Sequence, residues 1–165
     1  MHIRPGEEKD LDAIVQVIDT ARAFMRAHGN AAQWVNGYPS RELFAADMRG
    51  GHCFVAEENG QVHAVFSLFE GPDPTYAVIE DGAWLNDDAY VCIHRIGSDG
   101  ELRGVLQESV RFAALRGMDL RADTHADNIP MQNALKKCGF IRCGVIYVDD
   151  GTPREAFQRL KEYNV

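Results

Sequence analysis

Residues 89–124, AYVCIHRIGSDGELRGVLQESVRFAALRGMDLRADT, decide the fold. Residues 89–96 form an apolar run rich in β-branched and aromatic side chains, which reads as a strand. Leu102, Val105, Leu106, Val110 and Ala113 then recur at helical spacing, and Gly117 stands where a left-handed residue closes a helix. A second strand follows at 118–124. Two strands joined by a helix of this length cross over and pair parallel, so the centre of the sheet is predicted to be parallel.

Working outward, His2–Pro5 reads as a first strand. Leu11, Ile14, Val15, Ile18, Ala21 and Met25 give an amphipathic helix that ends near His28-Gly29. The polar-aromatic stretch NAAQWVNGYPS, 30–40, leads to Ser40 as N-cap of a second helix bearing Leu43, Phe44 and Met48. Residues 50–70 form a hairpin turning at Asn59-Gly60, which suits a type I′ turn. Residues 71–88 make a long loop rich in Pro, Gly and Asp, and loops of this length inside a domain carry function or mobility. Downstream, a helix is predicted for 129–137, with Pro130 in its first turn and Gly139 past its end. Two strands near 140–148 and 154–160 finish the chain. The expectation is one α/β domain over 1–165, with a mixed sheet of about seven strands, antiparallel at both ends and covered by helices on both faces.

Composition narrows the function. The chain has 165 residues, 45% of them hydrophobic, enough for one core. Its net charge of −8 argues against nucleic acid, whose phosphates need a basic face. No apolar run is long enough for a membrane span. Cys53, Cys92, Cys138 and Cys143 include no CxxC pair and read as free buried thiols of a reducing, cytoplasmic compartment. Asp123, His125 and Asp127 alternate as zinc ligands could, but no further His or Cys ligand lies nearby, so no metal is expected.

The order of elements, together with NIPMQNALKKCGF at 128–140, resembles the GNAT N-acetyltransferase superfamily over nearly the whole chain. The superfamily segment V-x-x-x-x-[QR]-x-x-G-x-[GA] falls on Ile96 and Gly104, with Glu101 at the Gln/Arg place and Leu106 at the second small place. The later segment N-x-x-[AM]-x-x-L-Y-x-x-x-G-F falls on Asn128, Met131, Gly139 and Phe140, with Leu135 at the Tyr place. QWVNGYPS and IHRI are similar to an uncharacterised bacterial subgroup. The resemblance implies the GNAT acyl-CoA N-acyltransferase fold, acetyl-CoA as co-substrate and a small-molecule or peptide amine as acceptor.

It also assigns residues. Gly100, Glu101, Leu102, Arg103, Gly104 and Val105 form the pyrophosphate loop, where glycines turn the chain and the opening amides of a helix face outward. Ile96, Asn128 and Met131 lie along the cofactor arm. A backbone N–H near Ile96 is suited to the oxyanion, and the Asn128 amide to the pantetheine or to capping its helix. His94 is the first choice of general base because histidine titrates near neutral pH, with Glu70 and Glu80 behind it. Tyr147, water or the released amine's own proton would substitute for the missing Tyr at position 135. Trp34, Tyr38, Tyr76 and Trp84, with Asp73, Glu80 and Asp81 nearby, would wall a site for a cationic amine. Two other readings stay open: an acyl-CoA binder without turnover, and an interaction protein that uses only the fold. An open edge strand near the C-terminus would permit a homodimer.

Overall fold

The deciding unit folds as its periodicities require. In the computed structural model, which describes residues 1–163, β4 (Tyr90–Ser98) and β5 (Asp119–Thr124) pair parallel, and α3 (Val105–Ala114) connects them. Before this unit come β1 (His2–Pro5), α1 (Leu11–Ala27), α2 (Arg41–Arg49), β2 (Cys53–Glu58) and β3 (Gln61–Glu70). After it come α4 (Ile129–Lys137), β6 (Ile141–Tyr147) and β7 (Pro153–Arg159). The seven strands lie in the order β1-β2-β3-β4-β5-β7-β6. Every pairing other than β4–β5 is antiparallel.

Period-two alternation along the strands divides the core into two layers. Ile14, Ile18, Phe44, Val55 and Val65 join α1 and α2 to one face. Phe66, Ile93, Val110, Leu120, Leu135 and Phe157 join α3 and α4 to the other. All four cysteines are buried and free. Among the described residues no helix is long and apolar enough to cross a membrane.

The helix expected to enter through Leu102 starts later, at Val105. Gly104 has φ 74°, a left-handed conformation that a helix cannot contain. Asn59 and Gly60 both have positive φ, as the hairpin turn requires.

Two irregularities open the sheet where function is expected. Opposite β3, Val65 pairs with Gly97 but Ser67 pairs with His94, so β4 carries an extra residue, and Arg95 takes φ 53°. A bulge of this kind turns consecutive side chains to one face. The strain at Arg95 is held by Asp47 of α2, whose Oδ2 accepts from Arg95 Nε and Nη2 at 3.0 and 2.8 Å and from Ser67 Oγ at 2.6 Å. Secondly, β4 and β5 pair only from Tyr90–Asp119 to Cys92–Arg121. Beyond that point the two strands run on without pairing to each other.

The 71–88 segment is tied down rather than loose. It covers the α1-side face over β4, β5, β7 and β6, with Tyr76 buried against Cys92, Ile146 and Ala156. Glu80 pairs with Val145 through two backbone hydrogen bonds of 2.9 and 2.8 Å, which caps part of the β6 edge expected to be open. Gly144 allows this approach, since a Cβ there would lie 2.4 Å from the Glu80 carbonyl oxygen.

Candidate active site

His94 sits on β4 two residues past Cys92, the last residue paired with β5, and is part-exposed. Its Nε2 lies 2.8 Å from Asp73 Oδ2 and its Nδ1 3.9 Å from Asp123 Oδ2. Asp73 begins the single helical turn Pro74–Tyr76 and caps it, accepting from Thr75 N and Oγ1 at 2.9 and 2.7 Å. The closing residue of that turn, Tyr76, donates its hydroxyl to Asp123 Oδ2 at 2.7 Å. One turn of the long segment therefore sends a carboxylate and a phenol to the two carboxylate-facing sides of one imidazole. Burial pushes the Asp73 carboxyl up, but hydrogen bonds from His94 and Thr75 outweigh it and bring it down to about 2. Burial and the charge of Asp123 hold the Tyr76 hydroxyl far above the usual phenol range, so it remains a donor.

Asp73, Cys92 and His94 also bring an oxygen, a sulfur and a nitrogen within 4.8 Å of one another, a set that could hold a soft divalent ion. The Asp73–His94 hydrogen bond occupies that position, and burial keeps the Cys92 thiol protonated. Asp123, His125 and Asp127 form no such set: Asp123 meets Tyr76, while His125 Nδ1 accepts from Asp127 N at 3.0 Å.

At the other end of β4, the loop Ser98–Gly104 reaches the start of α3. The amides of Gly100 and Glu101 are taken by Ser98 Oγ and Asp99 Oδ1 at 3.1 and 2.9 Å. The first backbone bond of α3 runs from Glu108 N to Gly104 O, 3.0 Å. The amides of Val105, Leu106 and Gln107 therefore open the helix without acceptors in it, as an anion site needs. Leu106 packs its side chain against the core, so its bulk leaves this corner clear. Glu58, Glu101 and Glu108 line the adjoining depression of about 500 Å³ with Met1, Leu102 and Arg103. The backbone fits a diphosphate; the acidic rim opposes one.

Asn128 caps α4, its Oδ1 accepting from Met131 N at 3.2 Å. Its Nδ2 donates to Gln33 Oε1, which also receives Asn30 Nδ2, Thr124 Oγ1 and the His125 amide. Gln33 thus gathers the polar end of β5 and the α1–α2 connection on one oxygen. Residue spacing shows no sign of it, because its partners lie up to 95 residues away.

The remaining expected residues scatter. Glu70 is exposed on the opposite face, near Arg116 of the α3 end, and does not reach His94. Tyr147 and Glu80 pair with each other at 2.9 Å on β6. Three strand spacings, ~14 Å, separate β6 from β4, so neither joins the histidine. Trp34 is buried under α1 and Tyr76 beneath its own segment, and Trp84 stacks on Arg121, so these rings plug the structure rather than wall a cleft. Tyr38 alone of the four is exposed.

No family model matches the chain, and no curated protein does. Among solved structures, a GNAT-family acetyltransferase from Streptococcus agalactiae 2603 is 32% identical, with 98% of this chain and 96% of that one covered at a TM-score of 0.86. One from Listeria monocytogenes 4b F2365 shares the fold at 17% identity and a TM-score of 0.70, over 96% and 94% of the two chains. With 32% identity to the Streptococcus agalactiae protein and end-to-end coverage, the chain belongs to the GNAT family of acetyltransferases.

Proposed function

We propose that this protein is an acetyl-CoA-dependent N-acetyltransferase of primary amines, with His94 as general base. The observation that carries the proposal is His94 held on Asp73 at the point where β4 and β5 part. With Nε2–H donated to Asp73, Nδ1 is left as the basic nitrogen. A lysine-like amine is neutral in only about one molecule in a thousand at pH 7, so a base that removes its proton speeds attack. Asp73 and Asp123 draw the ammonium in and stabilise the imidazolium that forms.

Acetyl-CoA supplies an activated acyl group as a thioester. The amides of Val105, Leu106 and Gln107 would hold its diphosphate, and the bulged backbone around Ile96 would offer an N–H to the carbonyl oxygen. Leu135 is buried in the core, so α4 presents no phenol to the leaving thiolate. The proton taken by His94 is the one available to return to it. This absent phenol is also what favours the rival reading, an acyl-CoA binder without turnover.

Calorimetry with acetyl-CoA and thiol release over an amine panel separate the two. Binding with release supports the enzyme; binding without release supports the rival. His94→Ala is expected to lower kcat by roughly a hundredfold or more while leaving acetyl-CoA affinity within about twofold. Unchanged turnover would remove His94 from the reaction.

A further inference from the structure

Arg121 is a buried cation that the proposed chemistry does not use. It is 4% exposed on β5, on the face covered by the 71–88 segment. Its Nη2 donates to the Asn86 carbonyl at 2.9 Å, its buried Nε has no partner, and among the described residues no carboxylate pairs with it. A buried charge without a counter-ion is costly, so something else must hold it. That something is aromatic: Cζ lies 4.0 Å from the centroid of Trp84 and 3.9 Å from that of Tyr90, one ring on each side.

Each ring has a second contact. Trp84 Nε1 donates to the Tyr76 carbonyl at 2.9 Å, and the Tyr90 hydroxyl accepts from the Asp73 amide at 2.9 Å. The two rings therefore hold the two ends of the Asp73–Tyr76 turn. Its side chains in turn meet His94 and Asp123. Tyr90 also packs on the entry to the turn, since a Cβ on Gly71 would fall 2.5 Å from its ring.

We infer that Arg121 is a positioning residue: its guanidinium, stacked between Trp84 and Tyr90, sets those rings and so fixes Asp73 and Tyr76 against His94 and Asp123. A planar cation can stack on two parallel faces at once, which an ammonium cannot. The catalytic consequence rests on His94 being the base; the effect on the turn does not.

Arg121→Met, Arg121→Lys and Tyr90→Phe test it by amide hydrogen exchange of the labelled protein and by steady-state kinetics. In Arg121→Met the amides of Asp73, Tyr76 and Ala77 should exchange at least about tenfold faster, with those of β3 and α3 unchanged. The same variant should lose kcat by about 10- to 100-fold, as misplacement of a catalytic group does, with acetyl-CoA Kd within about twofold. Arg121→Lys should track Arg121→Met, because charge without the plane does not set both rings. Tyr90→Phe keeps the cation and removes only the hydroxyl, and should loosen the same amides; it decides the case should Arg121→Met not fold. Wild-type exchange at those amides in Arg121→Met or Tyr90→Phe, or wild-type behaviour of Arg121→Lys, overturns the inference. If His94→Gln keeps full turnover the base assignment falls, and the exchange result still judges Arg121.

Discussion

Glu101 puts a carboxylate where the resembled motif carries Gln or Arg, on the rim of the depression at the start of α3. A like charge near a diphosphate weakens its binding modestly in water and less in salt. Glu101→Gln should therefore tighten acetyl-CoA about two- to fivefold at low ionic strength, with the gain gone near 1 M salt. Calorimetry at both salt concentrations checks this, and a variant of equal or lower affinity would show that the acid is not repelling the ligand. Residues whose role is local could be read from the chain. Asn128 caps the helix it precedes, and His94 ends up at the parting of the strands. Residues whose role depends on distant partners could not. Asp73 stands 21 positions before the histidine it holds and looked like a general acidic feature of the loop. Arg121 reads as one polar residue in an otherwise ordinary strand, and only the rings around it show what it does.

Among elements, the hairpin, the parallel unit and the capped helices follow from periodicity and turn chemistry, which act over a few residues. The bulge at Arg95 escaped, because no turn residue announces it and its anchor, Asp47, belongs to α2. The 71–88 segment was legible as a long loop, but its attachment to β6 was not, since that depends on two backbones meeting at Gly82 and Gly144. Gly144→Ala would drive a Cβ into the Glu80 carbonyl and break the Glu80–Val145 pairing. The expected cost is about 1–3 kcal/mol in urea unfolding, with faster exchange at Glu80 and Val145. Stability within error of the native chain would mean the segment can be released without penalty.

For the molecule as a whole, carboxylates set the response to acid. Asp10, held down by its hydrogen bonds from Arg4, and Asp73, brought to about 2, are both more acidic when folded. A depressed carboxyl stabilises the fold above its unfolded value near 3.9 and loses that contribution as pH falls toward the folded value. Between about pH 4 and pH 2, Asp73 should account for about 2 kcal/mol of lost stability. Asp73→Asn should flatten that part of the curve, and urea midpoints across the range give the comparison; an equally steep fall would assign the acid sensitivity elsewhere. The same burial that shapes the core bears on the thiols. Burial pushes Cys53 up to about 12 and raises Cys92, Cys138 and Cys143 as well. Thiolates, not thiols, attack disulfide dyes. A folded sample should thus stay colourless with such a dye until CoA is liberated, giving turnover measurements a dark background, and the four sulfurs should colour together when the chain unfolds.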